Sequence, residues 1–132
     1  MTMQTAEIRT VSKSSLRTGV VISALVILFL VFDSAVKLIN STVAIDATTR
    51  LGYQASILIP LGIVLLLCTI LYAVPRTAIL GAILLTAYLG GATATHVRIG
   101  DPYYFPIVMG ILLWAGLYLR DPRVRTLIPI RA

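Results

Sequence analysis

Four apolar runs, residues 19–40, 51–75, 77–97 and 102–119, follow one another with almost no charge inside them. Each has 18 residues or more, and a helix rising about 1.5 Å per residue crosses the roughly 30 Å hydrocarbon layer at that scale. The connections between them are too short to hold a soluble domain. Only 12% of the residues are charged and the mean hydropathy is +0.97, whereas soluble domains carry about 25% charged residues. The expected fold is therefore all-α: an integral membrane four-helix bundle. Its helices are expected at about 18–40, 53–74, 77–97 and 102–119, with tails at 1–17 and 121–132.

The basic residues orient this bundle. Arg9, Lys13 and Arg17 precede the first run, Arg76 separates the second from the third, and Arg120, Arg123, Arg125 and Arg131 follow the fourth. With four spans these eight share one side, leaving only Lys37, Arg50 and Arg98 on the other. Positive charge gathers on the cytoplasmic side, so both termini are expected there. The net charge of +6 then reads as orientation signal and contact with anionic lipid, not as a nucleic-acid surface. A secretory signal is the weaker reading of residues 1–32, because cleavage would split the basic regions between two sides.

Residues 41–51 are too short and polar to span. Val43, Ala44, Ala47 and Leu51 can form one apolar face, which predicts a short helix on the outer surface with Asp46 paired to Arg50. Pro60 predicts a kink or local loosening early in the second span. Thr77 is placed to cap the third helix, and Asp101-Pro102 to start the fourth. Ala82, Thr86, Gly90 and Thr93 present small residues for close helix packing. Tyr103, Tyr104 and Phe105 suit the outer interface, and Tyr72 and Tyr118 the inner one.

Asp33 and Lys37 are the only side chains charged at neutral pH inside the four runs. Four residues apart, they share one helix face and can pair. Charge within a span is costly unless paired or facing a protein or aqueous interior. Asn40 falls in the same stripe. The first and third helices run the same way, so Asp33, Lys37 and Asn40 lie at a depth similar to that of Thr93, His96 and Arg98. Tyr53 and Gln54 open the second helix at that face. These positions predict a polar binding pocket near the outer leaflet. The ordinary reading of each residue is structural: a pinning ion pair, a snorkelling lysine, an interfacial histidine.

No catalytic residue can be assigned from motifs. Nucleotide loops, nucleophile elbows and zinc motifs are absent, and no set of metal ligands is recognisable. Cys68 is the only cysteine, which excludes intramolecular dithiol chemistry.

Several blocks together resemble the DoxX-like family. They are Asp33-Ser-Ala-Val-Lys-Leu, Leu51-Gly-Tyr53, Val74-Pro-Arg-Thr-Ala78, the stretch from Gly90 to Arg98, and Trp114-x-Gly-Leu-x-Leu-Arg-Asp-Pro122. The resemblance covers about residues 16–128. It implies a small four-helix protein of the bacterial cytoplasmic membrane and singles out Asp33, Lys37, Thr93, His96 and Arg98. The family takes its name from a subunit of a thiosulfate:quinone oxidoreductase, so it also implies a quinone or a membrane redox partner. The preferred expectation is an accessory or small-ligand-binding subunit in the bilayer, alone or as a homo-oligomer. A small membrane enzyme using Asp33, Lys37 and His96, or a compact proton-coupled transporter, are the alternatives.

Overall fold

The computed structural model describes residues 12–128, so Arg9 and Arg131 lie outside the described residues. Six helices follow in order: α1 (Lys13–Leu38), α2 (Thr42–Arg50), α3 (Leu58–Ala73), α4 (Ala78–Ile99), α5 (Tyr104–Arg120) and α6 (Pro122–Leu127). No strand occurs among the described residues. Helices α1, α3, α4 and α5 form the bundle, with α1 between α3 and α5 and α4 on the far diagonal. Three helical stretches, Lys13–Leu38, Ala55–Ala73 and Pro75–Ile99, are long and apolar enough to cross a membrane. The 17-residue α5 is equally apolar in character but shorter.

Local chemistry moves several boundaries from where they were expected. Helix α1 begins at Lys13, inside the expected tail, because Ser12 accepts a hydrogen bond from the Ser15 backbone amide at 3.1 Å and satisfies an amide the helix leaves orphaned. It stops at Asn40, whose φ of 57° is left-handed, a conformation asparagine tolerates better than most residues. Ser41 then caps α2 through the Ala44 amide. Pro60 lies where the start of the second span is loosened into a 3₁₀ turn. It is the third residue of α3, where no intrahelical amide bond is lost, and the turn, Ala55–Ile57, precedes it. Thr77 does not cap α4; its hydroxyl donates to the Leu71 carbonyl at 2.8 Å. Asp101 does not cap α5, which starts at Tyr104.

The C-terminal tail also carries structure. Asp121 accepts from the Arg123 amide at 2.9 Å and caps the short α6, with Pro122 in its first turn. Burial alone would raise the Asp121 carboxyl, but hydrogen bonds from Arg123 and the charges of Arg123 and Arg120 outweigh it and hold it below its ordinary value. Arg123 also donates to the Pro75 carbonyl, and Arg125 to the Ser15 hydroxyl, both at 2.6 Å. Helix α6 thus ties the α3–α4 turn to the start of α1.

The core fills the half of the bundle nearer α6. Val26, Leu30, Leu65, Leu85, Leu113 and Leu117 are buried there around Tyr72. Tyr72 was expected at the inner interface, yet it is fully buried. Its hydroxyl donates to the Leu113 carbonyl at 2.6 Å and lies 3.2 Å from the Ser23 hydroxyl. Arg120 donates to Ser23 at 2.9 Å and to the Tyr72 carbonyl at 3.0 Å, with its guanidinium over the Tyr72 ring. Three helices are joined by this one cluster.

The close approaches come from glycines other than the expected ones. A side chain at Gly19 or Gly116 would collide across the α1–α5 crossing, and one at Gly81 would collide with the Tyr72 backbone. An added Cβ at Gly90 meets nothing within 4 Å. The face of Ala82, Thr86, Gly90 and Thr93 is therefore not a tight seam along its whole length: Ala82 is buried, whereas Thr86 accepts a hydrogen bond from Trp114 at 2.7 Å.

Candidate functional site

Toward the α2 end the bundle holds a cavity of about 750 Å³, within the usual range for small-molecule sites. Its walls are mostly apolar. Helix α2 forms its roof, with Val43, Ala44, Ala47, Thr48 and Leu51 on the lining. This is the apolar face expected from the sequence, but turned onto a protein cavity.

Two arginines hold the roof in place. Arg50 pairs with Asp101 in the α4–α5 connection, not with Asp46. Asp46 lies on the same short helix, while the fold carries Asp101 across to meet it. Arg98 donates to the Leu51 carbonyl at 2.6 Å, where α2 ends. Gly52 follows with a left-handed φ of 94°, which turns the chain into Tyr53.

Asp33 and Lys37 line the cavity as an ion pair, Nζ to Oδ1 at 2.7 Å. Gly62 on α3 sets their position: an added Cβ there would lie 3.0 Å from Lys37 Cβ, so only glycine lets α1 come this close without displacing it. His96 also lines the cavity, with Nδ1 2.7 Å from the Ala92 carbonyl. A carbonyl can only accept, so Nδ1 carries the proton and Nε2 of the neutral ring is an acceptor. Tyr88 lines the same space, half-buried, and its hydroxyl has no hydrogen-bond partner among the described residues. At the rim, Thr95 donates to the Gly91 carbonyl at 2.8 Å, so the 3.0 Å contact with Tyr53 has the Tyr53 hydroxyl as donor.

The structure brings together Asp33, Lys37, Tyr53 and His96 from the positions singled out in the sequence. The other four do not line the cavity. Asn40 is exposed at the turn that ends α1. Gln54 is exposed, and its carbonyl accepts from the Ile57 amide to start the 3₁₀ turn. The Thr93 hydroxyl donates to Leu89 within its own helix, and Arg98 anchors α2. Sequence reasoning missed Tyr88. The signal was present: at about 100° per residue, Tyr88, Ala92, Thr95 and His96 fall within one arc of about 100° on α4.

A model of the DoxX-like family matches residues 21–116. The chain belongs to the DoxX-like family. No curated protein and no solved structure matches it. The matched stretch of this DoxX-like protein holds every residue that lines the cavity, together with the α2 roof. Arg120, Asp121 and α6 lie beyond it.

The ion pair can be tested in the DoxX-like chain itself. Asp33→Ala and Lys37→Ala are each expected to destabilise the protein, with the double change costing less than the two together. Contacting charges couple by about 0.5–3 kcal/mol, and the upper end is not expected, because 35% of the Asp33 side chain remains accessible. Thermal unfolding in detergent across the double-mutant cycle measures this; strict additivity would mean the two charges do not support each other.

Proposed function

We propose that this DoxX-like protein is a multi-pass protein of the bacterial cytoplasmic membrane, an accessory subunit that binds a small ligand in the cavity beneath α2. The observation that carries the reading is the convergence of Asp33, Lys37, Tyr88 and His96 on a mostly apolar space of about 750 Å³. A free tyrosine hydroxyl and an accepting histidine nitrogen suit hydrogen bonding to a bound molecule.

In this reading α5 is the fourth span. Its 17 residues give about 26 Å of helix at 1.5 Å per residue, and the short α4–α5 connection brings Tyr103 and Tyr104 to the interface. Both termini are cytoplasmic, which places α2 on the outer face. Reporter fusions test the orientation: one after Ala132 is expected to report the cytoplasm and one in α2 the opposite side. A periplasmic signal at Ala132 would invert the topology.

Any redox role belongs to the ligand or to a partner, because the lone Cys68 offers no dithiol. The family name favours a quinone or a membrane redox partner. The transporter reading is weaker, because the half of the bundle below the cavity is filled by Leu30, Leu65, Leu85 and Leu113. Purification in mild detergent followed by mass spectrometry tests the binding role. A copurifying small molecule is expected in the wild type, reduced at least tenfold in His96→Ala at unchanged thermal stability. A wild-type protein that carries nothing, and takes up nothing from a membrane extract, would overturn it.

A further inference from the structure

The seams around the cavity are closed in different ways. Between α1 and α5, the Phe29 and Phe105 rings meet with centroids 5.0 Å apart. Above, α2 is pinned at its C-terminal end by the Arg50–Asp101 pair and by Arg98 on the Leu51 carbonyl. Among the described residues the seam between α3 and α4 has no ring pair or ion pair, and beside the cavity only the Tyr53–Thr95 hydrogen bond crosses it. There Ile57 of the 3₁₀ turn and Leu61 of α3, with Ala87 and Gly91 of α4, all lie on the lining. Ala87 and Gly91 are exposed, and an added Cβ at Gly91 meets no atom within 4 Å. On the helical wheel these two lie away from Thr86 and Leu89, which meet α5. Nearer α6 the same face of α4 carries the exposed Leu80 and Leu84, so the small residues make a gap only beside the cavity.

This seam looks out on a surface of exposed aliphatic side chains, including Val64 and Leu67 of α3 and Ile83 of α4. In a membrane that surface meets lipid tails, not water. We propose that the cavity is filled sideways from the bilayer, through the α3–α4 seam at Ala87 and Gly91, by a single-chain amphiphile with a small uncharged head. The inference rests on the ligand-binding reading and adds the route and the class of ligand. The apolar walls take the chain. The head reaches the Tyr88 hydroxyl, which can donate, and His96 Nε2, which accepts. Asp33 and Lys37 neutralise one another across 2.7 Å, so the cavity offers no unmatched charge to a charged head, whose desolvation would go uncompensated. Hydroxyl or carbonyl heads fit this requirement.

The test uses the full chain in lipid vesicles and a diazirine-bearing hexadecanol, incubated for varied times before a flash of light, with labelled peptides mapped by mass spectrometry. In the wild type, label is expected on the peptides containing Tyr88 and Met109. Gly91→Phe is expected to lengthen the loading time at least tenfold while the final labelling stays the same. Ala87→Phe, placed one turn away, is expected to do likewise and covers the case in which Gly91→Phe does not fold. Arg50→Ala, which loosens the roof, is expected to leave the loading time unchanged. Diazirine-bearing palmitate, compared with the hexadecanol probe at an alkaline pH where its carboxyl is ionised even in a bilayer, is expected to label the cavity at least tenfold less. Loading that is unaffected by both phenylalanines, or several-fold faster loading in Arg50→Ala, would place entry beneath α2 and overturn the lateral route. A lowered endpoint at unchanged rate would mean that the phenylalanine fills the cavity itself, and that too would overturn it. Equal labelling by palmitate would overturn the uncharged head. No cavity labelling by either probe in the wild type would remove the ligand-binding reading as well.

Discussion

Gly81→Ala is expected to be one of the most damaging single substitutions in the chain, although it adds one methyl group. The new Cβ would run into the backbone of Leu71 and Tyr72, which cannot swing aside as a flexible side chain could. Helices α3 and α4 would have to separate where both are fully packed. Overpacking of this kind costs about 1–3 kcal/mol and occasionally more, and it outweighs the gain of about 0.5–1 kcal/mol from replacing a helical glycine with alanine. At Gly90 the balance reverses, because the Cβ meets nothing and only the helix-propensity gain remains. Thermal unfolding of the two purified variants in detergent should therefore move in opposite directions. Equal shifts would show that α3 and α4 are not in contact at Gly81.

This pair of glycines shows where sequence reading stops. The all-helical character and the order of the long apolar helices were legible, because long uncharged runs leave the chain few other folds, whereas α6 in the expected tail was not. Which glycine makes a crossing was not, since that depends on the rotation of each helix about its own axis. Gly90 looked favourable because it sits in a regular spacing of small residues, while Gly81 sits among leucines and isoleucines. The same limit explains Arg50. Asp46 is its neighbour along the helix, but the partner it finds, Asp101, is 51 residues away and is supplied by the packing of α4 and α5.

The candidate site was partly legible for a physical reason. Charge inside an apolar helix needs a partner or a polar interior, so Asp33, Lys37 and His96 announced themselves at a shared depth. Tyr88 did not, because a tyrosine in an apolar run passes as an ordinary core or interface residue. Arg98, Thr93 and Gln54 lay at the right depth but on other faces, and depth alone cannot separate lining from anchoring. Helix α2 was legible as amphipathic, yet an apolar face on a nine-residue helix reads the same whether it covers lipid or a cavity.

Tyr72 gives the second large expected effect, and a pair of substitutions separates its two contributions. Tyr72→Phe keeps the ring among Leu113, Leu117 and Leu65 but removes the hydroxyl that donates to the Leu113 carbonyl and lies beside Ser23. Hydrogen bonds within membrane bundles average about 0.6 kcal/mol and reach about 1.7, so a loss near the upper part of that range is expected. Tyr72→Ala also removes the whole ring from a fully buried position, which costs about 3–5 kcal/mol in well-packed cores, and takes away the face beneath the Arg120 guanidinium. Packing is thus expected to exceed the hydroxyl term severalfold. The ordering wild type, Tyr72→Phe, Tyr72→Ala in unfolding temperature, with the larger step second, is the expected result. Because Tyr72 and Arg120 lie at the far end of the bundle from the cavity, Tyr72→Phe is also expected to keep its copurifying ligand. A Tyr72→Phe variant as unstable as Tyr72→Ala would show that the hydrogen-bonded cluster of Ser23, Tyr72 and Arg120, more than the leucine packing, holds α1, α3 and α5 together.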